Sequence, residues 1–217
     1  MARNTLKDTE GHILVKDPPI AELLFSSTRT AWIWLIVRLW VGFQWLNSSL
    51  GITYNLGLGG KQGKLFDPAW NSSGEAIRTY WERAVTPVQG GTTPVVFDWY
   101  RTFLQFLLAT NADVWFSKVI MVGELLVGLG LVFGALTGIA AFGGGLMNWS
   151  FLMAGTVSTN PLLFALTGLL ILAWKNAGYY GLDRYLLPML GTPWHQTEAA
   201  ATGQPTIRPP RVAYQAR

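Results

Sequence analysis

The sequence predicts an all-α integral membrane protein: a four-transmembrane-helix bundle with an amphipathic interfacial helix in the long loop after helix 1. Three observations carry that prediction. Only 13% of the 217 residues are charged while half are hydrophobic, against about 25% charged in an ordinary soluble domain. Apolar runs long enough to span a bilayer recur along the chain. Eleven tryptophans suit the interfacial belts where amphipathic rings anchor membrane helices.

Taken in order, residues 1–30 mix both signs of charge and lack an apolar core. They read as a polar cytoplasmic tail, not a cleavable signal peptide. The first span covers about 31–50. A second apolar region runs from near Trp115 to about Ser158, with Glu124 as its only acid. As one helix it would be roughly 65 Å long, about twice the ~30 Å of a bilayer core. It must fold back, and Gly134 and Gly138 offer the turn. That gives spans of about 115–134 and 138–157. The last span, about 160–178, opens with Asn160 as N-cap and Pro161 at the first helical position.

Residues 31–194 thus form one membrane domain, and the Ala-, Pro- and Arg-rich segment 195–217 reads as a disordered tail. Four spans put both termini on one face. Basic residues in both tails favour the cytoplasmic side of the plasma membrane for that face. The outer loop, residues 51–114, carries a short helix in "SSGEAIRTYWERAV". A second helix follows in "TPVVFDWYRTFLQFLLATN", with Asp98, Arg101, Thr102 and Gln105 on one stripe. It either lies along the membrane surface or packs as a lid on the bundle.

Composition also excludes several chemistries. No cysteine is present, which rules out disulfides, thiolate nucleophiles and thiolate metal sites. The two histidines, His12 and His195, fall outside the spans, so neither metal nor haem is expected. "GLGLVFG" and "GLGGKQGK" resemble nucleotide-binding loops but lack the required spacing and the Ser or Thr after the lysine. A net charge of +4, scattered along the chain, gives no footprint for nucleic acid.

Arg38 sits inside the first span and Glu124 inside the second. Counted from the two membrane faces, they differ in depth by roughly 7 Å, within reach of one another. Pairing lowers the cost of about 2.5 to 3.5 kcal/mol for an isolated charge at a helix centre. Asn148 falls level with Glu124 and can bond to either charge. Such a trio either locks the bundle together or borders a polar pocket in which Glu124 exchanges a proton. Trp45 and Trp149 would wall an apolar slot beside it, and Lys61 and Lys64 could attract anions at the outer surface.

The segments "RLWVGFQWLNSSLG", "MVGELLVGLGLVFGALTGIAAFGGGLMNWS" and "STNPLLFALTGLLILAWK" resemble the DoxX/DoxD family of four-helix membrane proteins, over roughly residues 31–194. The family includes the large membrane-embedded subunit of thiosulfate:quinone oxidoreductase, and also accessory proteins of membrane complexes. The resemblance implies a membrane subunit of a quinone-linked oxidoreductase, with quinone as co-substrate and a small anion such as thiosulfate as electron donor. Glu124 and Arg38 would then be the catalytic pair. The alternative it implies is a non-catalytic accessory subunit of a respiratory or other membrane complex. Either reading expects the lipid bilayer and a second subunit or larger complex as partners, with a homo-oligomer possible. One departure stands out: family members often carry Gly-x-x-Lys soon after the first span, whereas here Lys61 and Lys64 come late in a glycine-rich stretch.

Overall fold

A computed structural model describes residues 17–88 and 91–192. The reading of 195–217 as a disordered tail lies outside them, as does the start of the N-terminal tail. The described residues form helices and loops without a strand. We label the longer helices α1 (Ala31–Leu50), α2 (Glu75–Val85), α3 (Asp98–Ala109), α4 (Asp113–Phe133), α5 (Thr137–Met153), α6 (Asn160–Leu172) and α7 (Asp183–Met189).

Four of them close a ring: α1 packs on α4, α4 on α5, α5 on α6, and α6 returns to α1. The core between them is apolar and tight, with Val41, Leu131, Ala141, Leu170 and Ala173 fully buried. Gly42 and Gly128 let α1 and α4 approach closely: a Cβ on either would press into the facing helix. By itself α4 is long and apolar enough to cross a membrane, and the bent pair Pro19–Ser26 and Thr28–Leu50 meets that test taken together. The ring is apolar outside as well as within. Arg38, Ser49, Glu124, Thr137, Asn148 and Thr167 are buried, while Trp32, Ile36, Phe43, Leu126, Phe142 and Leu172 face outward.

A second layer covers the ring at the end where α1 finishes and α4 begins. There α2 and α3 bury Ile77, Trp81, Tyr100, Leu104 and Leu107 together against Ile120 and Ala154. Thus α3 is a packed lid. It also keeps an outward apolar stripe, Trp99, Phe103 and Phe106, beside its exposed polar residues Asp98, Thr102 and Gln105. The lid is tied to α4 where Arg78 pairs with Asp113 at 3.3 Å and donates to Asn111.

Residues 19–26, grouped with the polar tail by sequence, are instead helical and fold under α1, bent by 61° from Thr28–Leu50. Trp34 Nε1 donates to the Leu24 carbonyl at 2.7 Å, Phe25 lies against the Trp34 ring, and Asn176 reaches Leu24 and Thr30. The last ring helix is shorter than the 160–178 read from sequence: α6 stops at Leu172, and Trp174–Ala177 forms a separate turn.

Candidate functional site

Arg38 and Glu124 do not meet. The register of α1 on α4 is fixed by the glycine contacts, which set Gly128 against Leu46, and by Ser49 donating to the Met121 carbonyl at 3.4 Å. That register sets Arg38 beside Leu131, seven residues and so ~10 Å along α4 from Glu124. The guanidinium instead donates to the carbonyls of Leu131 at 2.8 Å, Val132 at 3.4 Å and Tyr180 at 3.1 Å. Two of these are unsatisfied carbonyls of the last turn of α4, the negative end of the helix dipole.

The charge of Arg38 is offset by buried Asp183. That carboxylate accepts from the backbone N–H of Leu136 at 2.6 Å and of Thr137 at 2.8 Å, capping α5. Gly134 turns the chain at φ 64°, and a Cβ there would run into the guanidinium. A cation on the end of α4 and an anion on the start of α5 therefore clamp the hairpin between them.

Glu124 is held by Lys64. The chain leaves α1 at Gly51, loops out, and returns so that Gly63 lies on the backbone of Leu50 and Gly51. Lys64 and Leu65 donate to the Ser48 and Ser49 carbonyls at 3.2 and 3.0 Å. The strap so fixed sends the Lys64 ammonium inward to Glu124 Oε1, under the Trp70 ring at 4.5 Å. Only 1% of Glu124 is exposed, against 17% of the Lys64 side chain. A desolvated pair of this kind holds its geometry because neither charge can leave without stranding the other.

The pair lies in the wall of a cavity of about 480 Å³. Trp45 and Asn148 line it too, and Gln44, Tyr80, Arg83 and Asn160 surround it toward the lid. Four buried polar atoms here find no hydrogen-bond partner among the described residues: Glu124 Oε2, Trp45 Nε1 and both amide atoms of Asn148. A buried polar group without a partner costs about 1–3 kcal/mol. The four comprise two nitrogen donors, Trp45 Nε1 and Asn148 Nδ2, and two acceptor oxygens, Glu124 Oε2 and Asn148 Oδ1.

Of the residues singled out by sequence, Glu124, Asn148, Trp45 and Lys64 come together. Arg38 belongs to the hairpin clamp. Lys61 is exposed on the strap and does not line the cavity. Trp149 points to the other side of α5, stacked on Trp99 with centroids 6.1 Å apart. With Gln44, Trp70 and Arg83, Tyr80 is among the lining residues that sequence reasoning missed. Its hydroxyl accepts from Thr156 at 2.8 Å and donates to the Phe151 carbonyl at 3.3 Å. Burial pushes its pKa up to about 12, with Tyr100 adding to the rise and the Thr156 bond opposing it. Burial raises Tyr100 as well. The position of Tyr80 beside the buried stripe Ile77, Trp81 and Ala84 was the available signal.

Comparison with protein-family models, with curated proteins and with solved structures returned no match.

Proposed function

We propose that the protein is an integral membrane subunit whose four ring helices cross the bilayer, with both termini cytoplasmic, and whose polar cavity is the quinone site of an oxidoreductase. The apolar outer surface supports the first part, because exposed Ile36, Phe43, Leu126 and Phe142 suit hydrocarbon and not water. The single observation carrying the second is the set of unpartnered polar atoms on Glu124, Asn148 and Trp45, three residues that line one cavity. Asn148 Nδ2 and Trp45 Nε1 can donate to a carbonyl oxygen whose negative charge grows on reduction. Glu124 can hand over a proton, and Lys64 holds the carboxylate in place. Two electrons and two protons convert a quinone to its quinol. In this reading the two electrons come from two thiosulfate-like anions, drawn toward Lys64 and Arg83 and joined to each other through a new S–S bond, or from a partner subunit, and the two protons come from water. The resemblance to the DoxX/DoxD family points to the same reaction.

A non-catalytic accessory role has one specific observation in its favour. The lid carries an outward apolar stripe, Trp99, Phe103 and Phe106, of the kind that partner subunits cover. Thiosulfate-dependent reduction of a short-chain quinone analogue, measured on the complex purified in mild detergent, separates the two. The catalytic reading expects a fall of about 100-fold or more in Glu124→Gln with the complex intact. Unchanged turnover in that variant, or no turnover in the intact wild-type complex, supports the accessory role.

A further inference from the structure

Behind the polar cavity lies a second one, of about 530 Å³ and nearly all apolar, running along the groove between α4 and α5 under the lid helix α3. The two share a wall. Ile77, Tyr80 and Phe151 line both, and the Tyr80 and Phe151 rings meet edge to face with centroids 6.2 Å apart. The partition follows from helix geometry, since neighbouring residues project about 100° apart. On α4, Glu124 faces the polar cavity and Gly123 the groove. On α5, Asn148 faces the polar cavity, while Met147 and Trp149 face the groove.

The groove opens on the outer face of the ring. Val119, Leu146 and Trp149 on its rim are exposed, as are Trp99 and Phe103 of the lid above it. In the membrane orientation proposed above, that side meets lipid and not water.

We propose that the two cavities are the halves of one site for an amphiphile. Its small polar head bonds to Glu124, Asn148 and Trp45, and its single apolar chain lies in the α4–α5 groove. Access is sideways from the bilayer, past Tyr80 and Phe151. The inference rests on the polar cavity being a binding site and adds the chemical class of its occupant. The unpartnered atoms supply the head contacts, and the Tyr80 and Phe151 rings form the partition that must turn aside for the chain to reach from head to groove. Gly143 stands against Val127 across the groove, 3.4 Å from where its Cβ would be, so a side chain longer than one carbon there enters the groove.

The test uses methyl, butyl and octyl 4-hydroxybenzoate as probes, binding to the full-length protein in one detergent, with micelle partitioning measured for each. Wild-type protein is expected to bind the octyl ester at least tenfold more tightly than the methyl ester, a gain that two buried methylenes suffice to give. Gly143→Leu, which fills the groove, should abolish that ratio and leave methyl-ester affinity unchanged. Leu146→Trp, at an exposed rim position that cannot disturb the core, should do the same. Asn148→Leu should weaken all three esters by a common factor. A chain-length ratio near one in the wild type, or the same ratio in the wild type and both groove variants, overturns the amphiphile proposal and leaves the polar cavity as a site for a water-soluble ligand. Absence of binding by every ester, with the protein folded, overturns the cavity reading along with it.

Discussion

Arg38 and Glu124 are both 1% exposed, yet they differ in kind. Two of the guanidinium nitrogens of Arg38 are bonded to backbone carbonyls at a helix end. Its role is finished when the chain has folded. Glu124 spends one oxygen on Lys64 and leaves the other without a hydrogen-bond partner among the described residues, so it keeps an acceptor to offer. Tyr80 gives this end of the molecule a pH signature. A phenol whose pKa rises from 10.0 to about 12 on folding is bound more tightly to its proton in the folded state. The stability this represents is complete below pH 10 and is lost as pH climbs toward 12. Unfolding midpoints measured across that window should therefore fall more steeply in wild type than in Tyr80→Phe. Superimposable profiles would show that burial of this hydroxyl is not coupled to folding.

At the scale of elements, the α4–α5 hairpin depends on opposite charges at its two helix ends. Asp183→Asn keeps the shape of the cap but removes the charge that offsets Arg38 and one of the two acceptors. We expect a loss of about 1–3 kcal/mol, the cost of leaving a buried donor without its acceptor, read as a lowered thermal midpoint in detergent. A change within ~0.5 kcal/mol, as at an ordinary surface position, would mean the carbonyls alone neutralise Arg38. The turn itself was readable from Gly134, because a glycine between two apolar runs has few other uses. The partner of Arg38 was not. Asp183 is the next acid in the chain after Glu124, but it follows the last span, outside the stretch in which the sequence points to a partner for Arg38. Counting depth from notional membrane faces also misplaced Arg38 against Glu124. The small residues that fix the α1–α4 register act only once the helices touch.

Across the whole molecule, the all-helical class was legible in composition and apolar periodicity, and Glu124, Asn148 and Trp45 were legible as polar or amphipathic residues in apolar runs. The return of Lys64 was not, since it depends on the strap of residues 51–70 folding back over the end of α1 through Gly63. Nor could the sequence divide Asn148 from Trp149, two adjacent residues serving opposite faces of α5. The proposed four crossings make a direct prediction for a chain without cysteine. A cysteine placed at Ser72 should react with an impermeant maleimide in intact cells, and one at Tyr185 only after permeabilisation. Labelling of both from the same side contradicts the four-span arrangement.

The polar cavity is the centre of the account, and a density map of the detergent-purified protein, saturated with a short-chain quinone analogue, tests it most directly. The account predicts a planar head within hydrogen-bonding distance of Asn148 and Trp45, facing the free oxygen of Glu124, with Lys64 still on the other. A map of the folded protein with ordered water alone between those side chains, and the analogue elsewhere or absent, would contradict it.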